Sequence, residues 1–337
     1  MVPVARFRAD SGDSMTSLRI SLAAVLFSMS CVAEAQTGSR VSEPQSTPPS
    51  RWQQEVDQLD QALRARALTA VDPRGLWMAG QLDPTDPEAQ VKAFAQARVR
   101  VPAEKVFLSS LATACLVPMQ PLPPECDATD RLADWATRDE DNGVPMLLLA
   151  DRARQRNNAT AVVAFLEEAA LRPRFDDYWN RGSLFVWEEV RALPGPGNPA
   201  AKAELAATYG AARTSHAVRT MQALCRDSER YADGMRSACN AAGMAAAQRA
   251  STWTLRTAGA RLAERSAGAG PAQVEARQLV VDVQRRAFEC AEAGNPIADA
   301  FQSSDPAVRA RAVAQWEARL VQNAELGEVA ACARTWR

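Results

Sequence analysis

Residues 143–173 read GVPMLLLADRARQRNNATAVVAFLEEAALRP. Two stretches rich in Leu, Ala, Val, Glu, Gln and Arg flank the polar pair Asn157-Asn158. The first set favours helix, and Asn favours turns, so the segment reads as a helix, a tight turn and a second helix. The composition of the whole chain points the same way. Tyrosine, threonine and isoleucine are scarce, with 3 tyrosines in 337 residues, while Ala, Leu, Arg, Glu and Gln are abundant. A sequence poor in β-branched and aromatic residues has little to build a sheet from. The expected fold class is therefore all-α, built from antiparallel helix hairpins.

The unit at 143–173 resembles a tetratricopeptide repeat (TPR), a helix–turn–helix motif of 34 residues. Leu149-Ala150 stand where the motif has Leu-Gly, and Ala153 where it has Tyr or another modest side chain. Leu166 and Ala169 match the packing positions of the second helix. The departures are Met146 for Trp, Val162 for Ala, and Pro173 one place early. Leu132 and Ala136-Thr137-Arg138 echo Leu166 and Ala170-Leu171-Arg172 at an offset of 34, and Leu111-Ala112 echo Leu149-Ala150 at 38. An earlier hairpin with a turn four residues longer is expected, its turn holding Cys115 and Cys126 around LVPMQPLPPE. The resemblance covers about one repeat. It implies an α-solenoid, TPR-like arrangement whose concave surface binds a protein or peptide partner, an implication that rests on fold analogy.

Around this unit the chain divides in two. Trp52, Val56, Leu59 and Leu63 recur at helical steps over 51–68. Asp72-Pro73 and Asp86-Pro87 mark two more helix starts, because proline suits the first turn. A helix near 102–116 follows, and an aromatic one over 175–193 carries Tyr178, Trp179, Phe185 and Trp187. The breaker PGPGNPA at 194–200 separates an N-terminal repeat-like region, 51–193, from a C-terminal helical region, 199–337. Helices are expected there near 199–225, 229–249, 251–266, 271–293 and 305–325.

Residues 15–35, MTSLRISLAAVLFSMSCVAEA, place Arg19 before an uncharged apolar run that ends at Ala33-Glu34-Ala35. That order is a secretory signal peptide of bacterial type, occupying residues 1–35 with translation beginning at Met1 or Met15. The run is too short to span a bilayer, which takes about 20 residues. Residues 36–50, rich in Pro and Ser, form a disordered leader. Cys31 lacks the recognition box of a lipoprotein, since Ser28 stands where a Leu-like residue belongs, and no lipid anchor is expected on it. The expected location is periplasmic or secreted. Removing the signal turns seven cysteines into six: Cys115, Cys126, Cys225, Cys239, Cys290 and Cys332. An even set in an oxidising compartment forms disulfides. Sequential pairing is expected, 115–126, 225–239 and 290–332. The middle pair imposes a condition: on one straight helix its cysteines would stand about 21 Å apart, and a bridge needs about 7 Å or less. A turn must intervene, at Asp227-Ser228 or near Asp233-Gly234.

The chemistry-bearing residues are sparse. The 39 basic and 40 acidic residues nearly cancel, with no basic stripe interleaved with aromatics, so no nucleic-acid partner is expected. No C-x-x-C spacing occurs and His216 is the sole histidine, so neither metal, cofactor nor catalytic residues are assigned. Asp139-Glu140-Asp141-Asn142 reads as a solvated, helix-capping loop, and Glu167-Glu168 and Glu188-Glu189 as adjacent carboxylates of which one each faces solvent. Tyr178, Trp179 and Trp187 are the candidate partner-binding residues. The expected function is that of a periplasmic interaction or scaffold protein without catalytic activity. The alternative is a cell-envelope enzyme with a carboxylate-based site acting on cell-wall glycan.

Overall fold

The computed structural model describes residues 51–82, 85–194, 198–212, 215–226, 233–293, 300–301 and 303–335. The expected signal peptide, the leader and Cys31 lie outside these residues, as do Asp227, Ser228 and the centre of the 194–200 breaker.

Local chemistry starts many of the helices. α1 (Arg51–Leu68) turns Leu59 and Leu63 inward. Asp72 accepts from the Gly75 amide at 2.9 Å at the head of α2 (Pro73–Leu82), and Asp86 does the same for Ala89 ahead of α3 (Pro87–Arg100). These acids satisfy amides that lack intrahelical partners. Next come α4 (Lys105–Ala114), α5 (Ala128–Arg138), α6 (Val144–Gln155) and α7 (Ala159–Leu171). The α6–α7 turn falls at Asn157, in the left-handed region at φ 55°, and Asn158, whose side chain caps α7 by accepting from Ala161 N at 3.0 Å. The enlarged α4–α5 turn is closed by Cys115 and Cys126, with Cα atoms 5.4 Å apart.

Each of α1 to α6 packs on its successor. The sequence then departs from simple succession. α7 packs on α11 (Asp233–Arg249), α11 on α12 (Trp253–Ser266), and α12 on α13 (Pro271–Glu292). α8 (Trp179–Arg191) packs on α2, on α9 (Pro199–Ala212) and on α14 (Pro306–Leu326). α10 (His216–Ala223) bridges α6 and α12, and α15 (Glu328–Thr335) packs back on α14. Side chains from both regions share one apolar core.

Two expected helices are corrected. The run 199–225 holds two helices, Pro199–Ala212 and His216–Ala223, and the hydroxyl of Ser215 caps the second by accepting from Val218 N at 3.3 Å. The aromatic helix starts at Trp179 rather than 175, because Arg174 and Phe175 pair with other segments and Tyr178 stands in the left-handed region at φ 59°. Arg174 bridges to Asn142 and Phe175 to Ala250. The cysteines pair in sequence order. Cys225 lies beyond the end of α10 in a left-handed turn (φ 59°) and reaches Cys239 on α11 at a Cα separation of 6.4 Å. Cys290 on α13 meets Cys332 on α15 at 5.9 Å. Among the described residues no helix is long and apolar enough to cross a membrane.

Candidate functional site

The acidic loop after α5 is the root of the site. It is not the solvated cap expected from its composition. Asp139 and Asn142 are buried at 2% and 1% exposure. Asp139 follows the C-terminus of α5, where the helix dipole disfavours a negative charge. Five side-chain donors offset this. Lys105 Nζ donates to Oδ1 at 2.6 Å, and Arg174 donates to the same oxygen. Tyr178 Oη, Asn142 Nδ2 and Trp135 Nε1 donate to Oδ2 at 2.6, 2.8 and 3.1 Å. Burial pushes the Asp139 carboxyl up. The hydrogen bonds from Lys105, Tyr178 and Asn142, with the Arg174 charge, outweigh burial and hold it below the usual carboxylate range. Tyr178 responds in reverse: burial and the Asp139 carboxylate push its phenol well above its ordinary value.

Asn142 links this cluster to the non-helical stretch before α8. Its Oδ1 accepts from Asp176 N at 3.0 Å and its Nδ2 donates to Asp176 O at 2.7 Å. Asp176 Oδ1 in turn accepts from Tyr178 N at 2.8 Å and from Ser251 Oγ at 3.0 Å. Ser251, between α11 and α12, also donates its amide to Phe175 O at 2.9 Å and accepts from Val329 N at 3.2 Å. Five chain segments are thus tied by one continuous hydrogen-bond network, and networks of this kind rigidify what they join.

The network forms one wall of a cleft of about 640 Å³, within the usual size range of ligand sites. Five basic side chains line it: Lys105, Arg174, Arg181, Arg249 and Arg256. Three acids face them, Glu104, Asp176 and Glu325, with the amides of Asn180 and Asn323 among the lining. Burial, and then the Asp177 charge, push the Asp176 carboxyl above its ordinary value. The hydroxyls of Ser251 and Tyr178 both donate to carboxylates. No histidine or cysteine lines the cleft.

The candidate partner-binding aromatics fall on different sides of the surface. Tyr178, at 8% exposure, and Trp187, at 2%, are core residues, the latter edge-on to Trp316 at 5.0 Å between ring centres. Trp179 is half-buried and lines a second, much smaller cavity with His216, Asp177 and Ser215. Ser215 Oγ donates to Asp177 at 2.6 Å and the His216 ring lies against Arg219, so the three do not form a nucleophilic triad. Burial, with the Arg219 charge, pushes the His216 imidazole down to about 4. Of the adjacent carboxylates, Glu167 is exposed, whereas Glu188 pairs with Arg74 at 2.6 Å and Glu189 is buried beside Arg66 at 3.2 Å. Among the described residues no group of three or more His, Cys, Asp or Glu could hold a metal ion.

The arginines of the cleft escape the sequence reading. They are four among 39 basic residues, spread over 174–256, and no local spacing marks them. Fold and cleft together define the class: an all-α, disulfide-stapled protein with a basic polar cleft at the meeting of its interhelical loops. The chain matches no protein-family model, no curated protein and no solved structure.

Proposed function

We propose that this chain is a non-catalytic binding protein of the periplasm or extracellular space, and that it takes a segment of a protein or peptide partner into the arginine-lined cleft. The observation that supports this best is the lining itself. A rigid wall presents converging cationic and amide donors, and its hydroxyls are committed to carboxylates. Binding residues characteristically sit on loops held by a rigid scaffold, as here. The signal-like N-terminus and the three cysteine pairs support an oxidising compartment. The TPR-like hairpin at 143–173 supports partner binding by analogy.

The test is selection of displayed random peptides on the oxidised protein, with each hit re-measured on Ala330→Trp. Ala330 is an exposed residue of the cleft rim, so a bulky side chain there blocks the cleft while leaving the core alone. Peptides that bind the protein and lose at least about tenfold in affinity to Ala330→Trp are expected, the loss corresponding to one charge-assisted contact. Selection of no peptide, or of peptides indifferent to the substitution, contradicts the proposal.

The cell-wall glycan enzyme remains a second reading, favoured by one observation: the raised Asp176 carboxyl inside the cleft, a property of general acids. Asp176 accepts two hydrogen bonds on Oδ1, which tie that oxygen to the wall of the cleft. Release of soluble fragments from purified cell wall, abolished by Asp176→Asn, would transfer the conclusion to the enzyme.

A further inference from the structure

The five cations of the cleft are not equivalent. Lys105 and Arg174 are committed to Asp139 in the wall. Arg249 donates through one nitrogen to the carbonyls of Ala170 and Arg172, both at 2.9 Å, at the C-terminal end of α7 where carbonyls lack helical partners. Arg181 stacks on Phe185 at 4.9 Å and approaches Glu104 only at 4.0 Å.

Arg256 is in the least favourable position. It lies in the first turn of α12, where the helix dipole repels a cation. It is partly buried, its Nε donates to Ala250 O at 3.0 Å, and it lies over the Trp253 ring at 5.7 Å. Among the described residues no carboxylate comes within 4.0 Å of it. Burial and the charge of Arg286 push its guanidinium below the ordinary value. A buried cation without a counter-charge is costly, and an arriving anion removes that cost.

We infer that the cleft binds an acidic peptide segment, with Arg256 as the principal anchor for a carboxylate and Arg181 as a second. This rests on the cleft being the partner site proposed above. A guanidinium fork matches a carboxylate in a two-bond geometry. Three features favour a peptide over a small oxyanion. The cleft, at about 640 Å³, far exceeds what a single compact anion fills. Glu104, Asp176 and Glu325 share the lining and would repel a multiply charged ion, whereas an extended segment can set its carboxylate at the arginines and its amide hydrogens at the acids. Asn180 and Asn323 supply donor and acceptor groups suited to a peptide backbone.

The experiment uses fluorescence anisotropy on the full oxidised chain. The probes are a labelled hexapeptide with two glutamates, its glutamine analogue, and inorganic phosphate as competitor. The glutamate peptide is expected to bind, more tightly at low salt. Arg256→Gln should weaken it by about tenfold or more, the loss of a charge-assisted hydrogen-bond pair. Arg277→Gln, on the exposed side of α13, removes the same charge and should change binding by less than about twofold. If Arg256→Gln loses its helical circular dichroism, Arg181→Gln supplies the same readout. Equal binding of the glutamine analogue overturns the acidic specificity, while sensitivity to Ala330→Trp would keep the cleft as the partner site. Equal losses in Arg256→Gln and Arg277→Gln reduce the effect to general charge attraction and overturn the anchor. Displacement by phosphate as readily as by unlabelled peptide makes the ligand a small oxyanion and overturns the peptide assignment. If neither hexapeptide binds and library selection also fails, the binding function itself falls.

Discussion

The two regions of the chain reach helix-on-helix packing by opposite means. Before residue 194 the core is filled by volume: the largest fully buried side chains, among them Trp77, Phe107, Trp135, Phe175 and Phe185, all lie there. Trp77 stands edge-on to Phe185 at 5.8 Å, and its Nε1 donates to Ser110 at 2.9 Å. After residue 198 the core is largely alanine, including Ala238, Ala242, Ala245, Ala246, Ala250, Ala258 and Ala263. There α11 and α12 pack by proximity. A Cβ at Gly243 would stand 2.5 Å from the Ala263 amide nitrogen, and one at Gly259 would stand 2.6 Å from that of Ala247. The first region interdigitates large side chains, and the second brings backbones together. A loss of atoms should therefore damage the first, and a gain of atoms the second.

The largest expected effect follows from removing volume. Trp77→Ala should destabilise the oxidised protein by about 4 kcal/mol, the usual cost of truncating a buried aromatic. Urea unfolding followed by circular dichroism measures it. A loss under about 1 kcal/mol would mean that the aromatic core is loosely packed.

Next is the buried carboxylate of the first region. Asp139→Asn leaves Lys105 and Arg174 without their shared carboxylate and should cost about 3 kcal/mol near neutral pH. The sign with pH follows from the depressed Asp139 carboxyl. Its folded value lies below the unfolded one, so its stabilisation is complete above the unfolded value of about 4 and is lost as pH falls through the folded value. The gap between wild type and Asp139→Asn should thus be widest above about pH 5 and narrow as pH falls below the unfolded value. The raised carboxyls of Asp176 and Glu328 act the other way, their ionisation opposing the fold, but they are present in both proteins. A gap independent of pH would remove the ion pairs from the account.

The smallest effect is also the sharpest for the comparison. Gly259→Ala adds one methyl group against backbone atoms that cannot rotate away, and should cost about 2 kcal/mol by overpacking. In an ordinary helix interior the same change stabilises by about 1 kcal/mol. The sign alone, read from thermal unfolding, decides whether the second region packs by proximity.

What was legible in the sequence is what short-range chemistry controls. The Asp–Pro helix starts at 72, 86 and 305, the Asn157-Asn158 turn and the Cys115–Cys126 and Cys225–Cys239 pairs all depend on near neighbours in the chain. The errors come from long-range partners. Residues 174–178 leave the helix because Asn142, Ala250 and Ser251 supply their backbone partners. Asp139 is buried because Lys105, Arg174 and Tyr178, 34 to 39 residues away, converge on it. The cleft was illegible for the same reason: its lining comes from 103–105, 174–181, 249–256 and 323–330, and none of these carries a local motif. Tyr178 and Trp187 stood out as aromatic and proved to be core, while the arginines beside them did not stand out.

Hydrogen exchange of the full oxidised chain with and without the two-glutamate peptide tests the central claim most directly. Slowed exchange is expected at 174–181 and 249–256, the segments that bring Arg174, Arg181 and Arg256 to the cleft. Protection confined to other surfaces, such as the cavity around Trp52, Asn198 and Arg309, would contradict it.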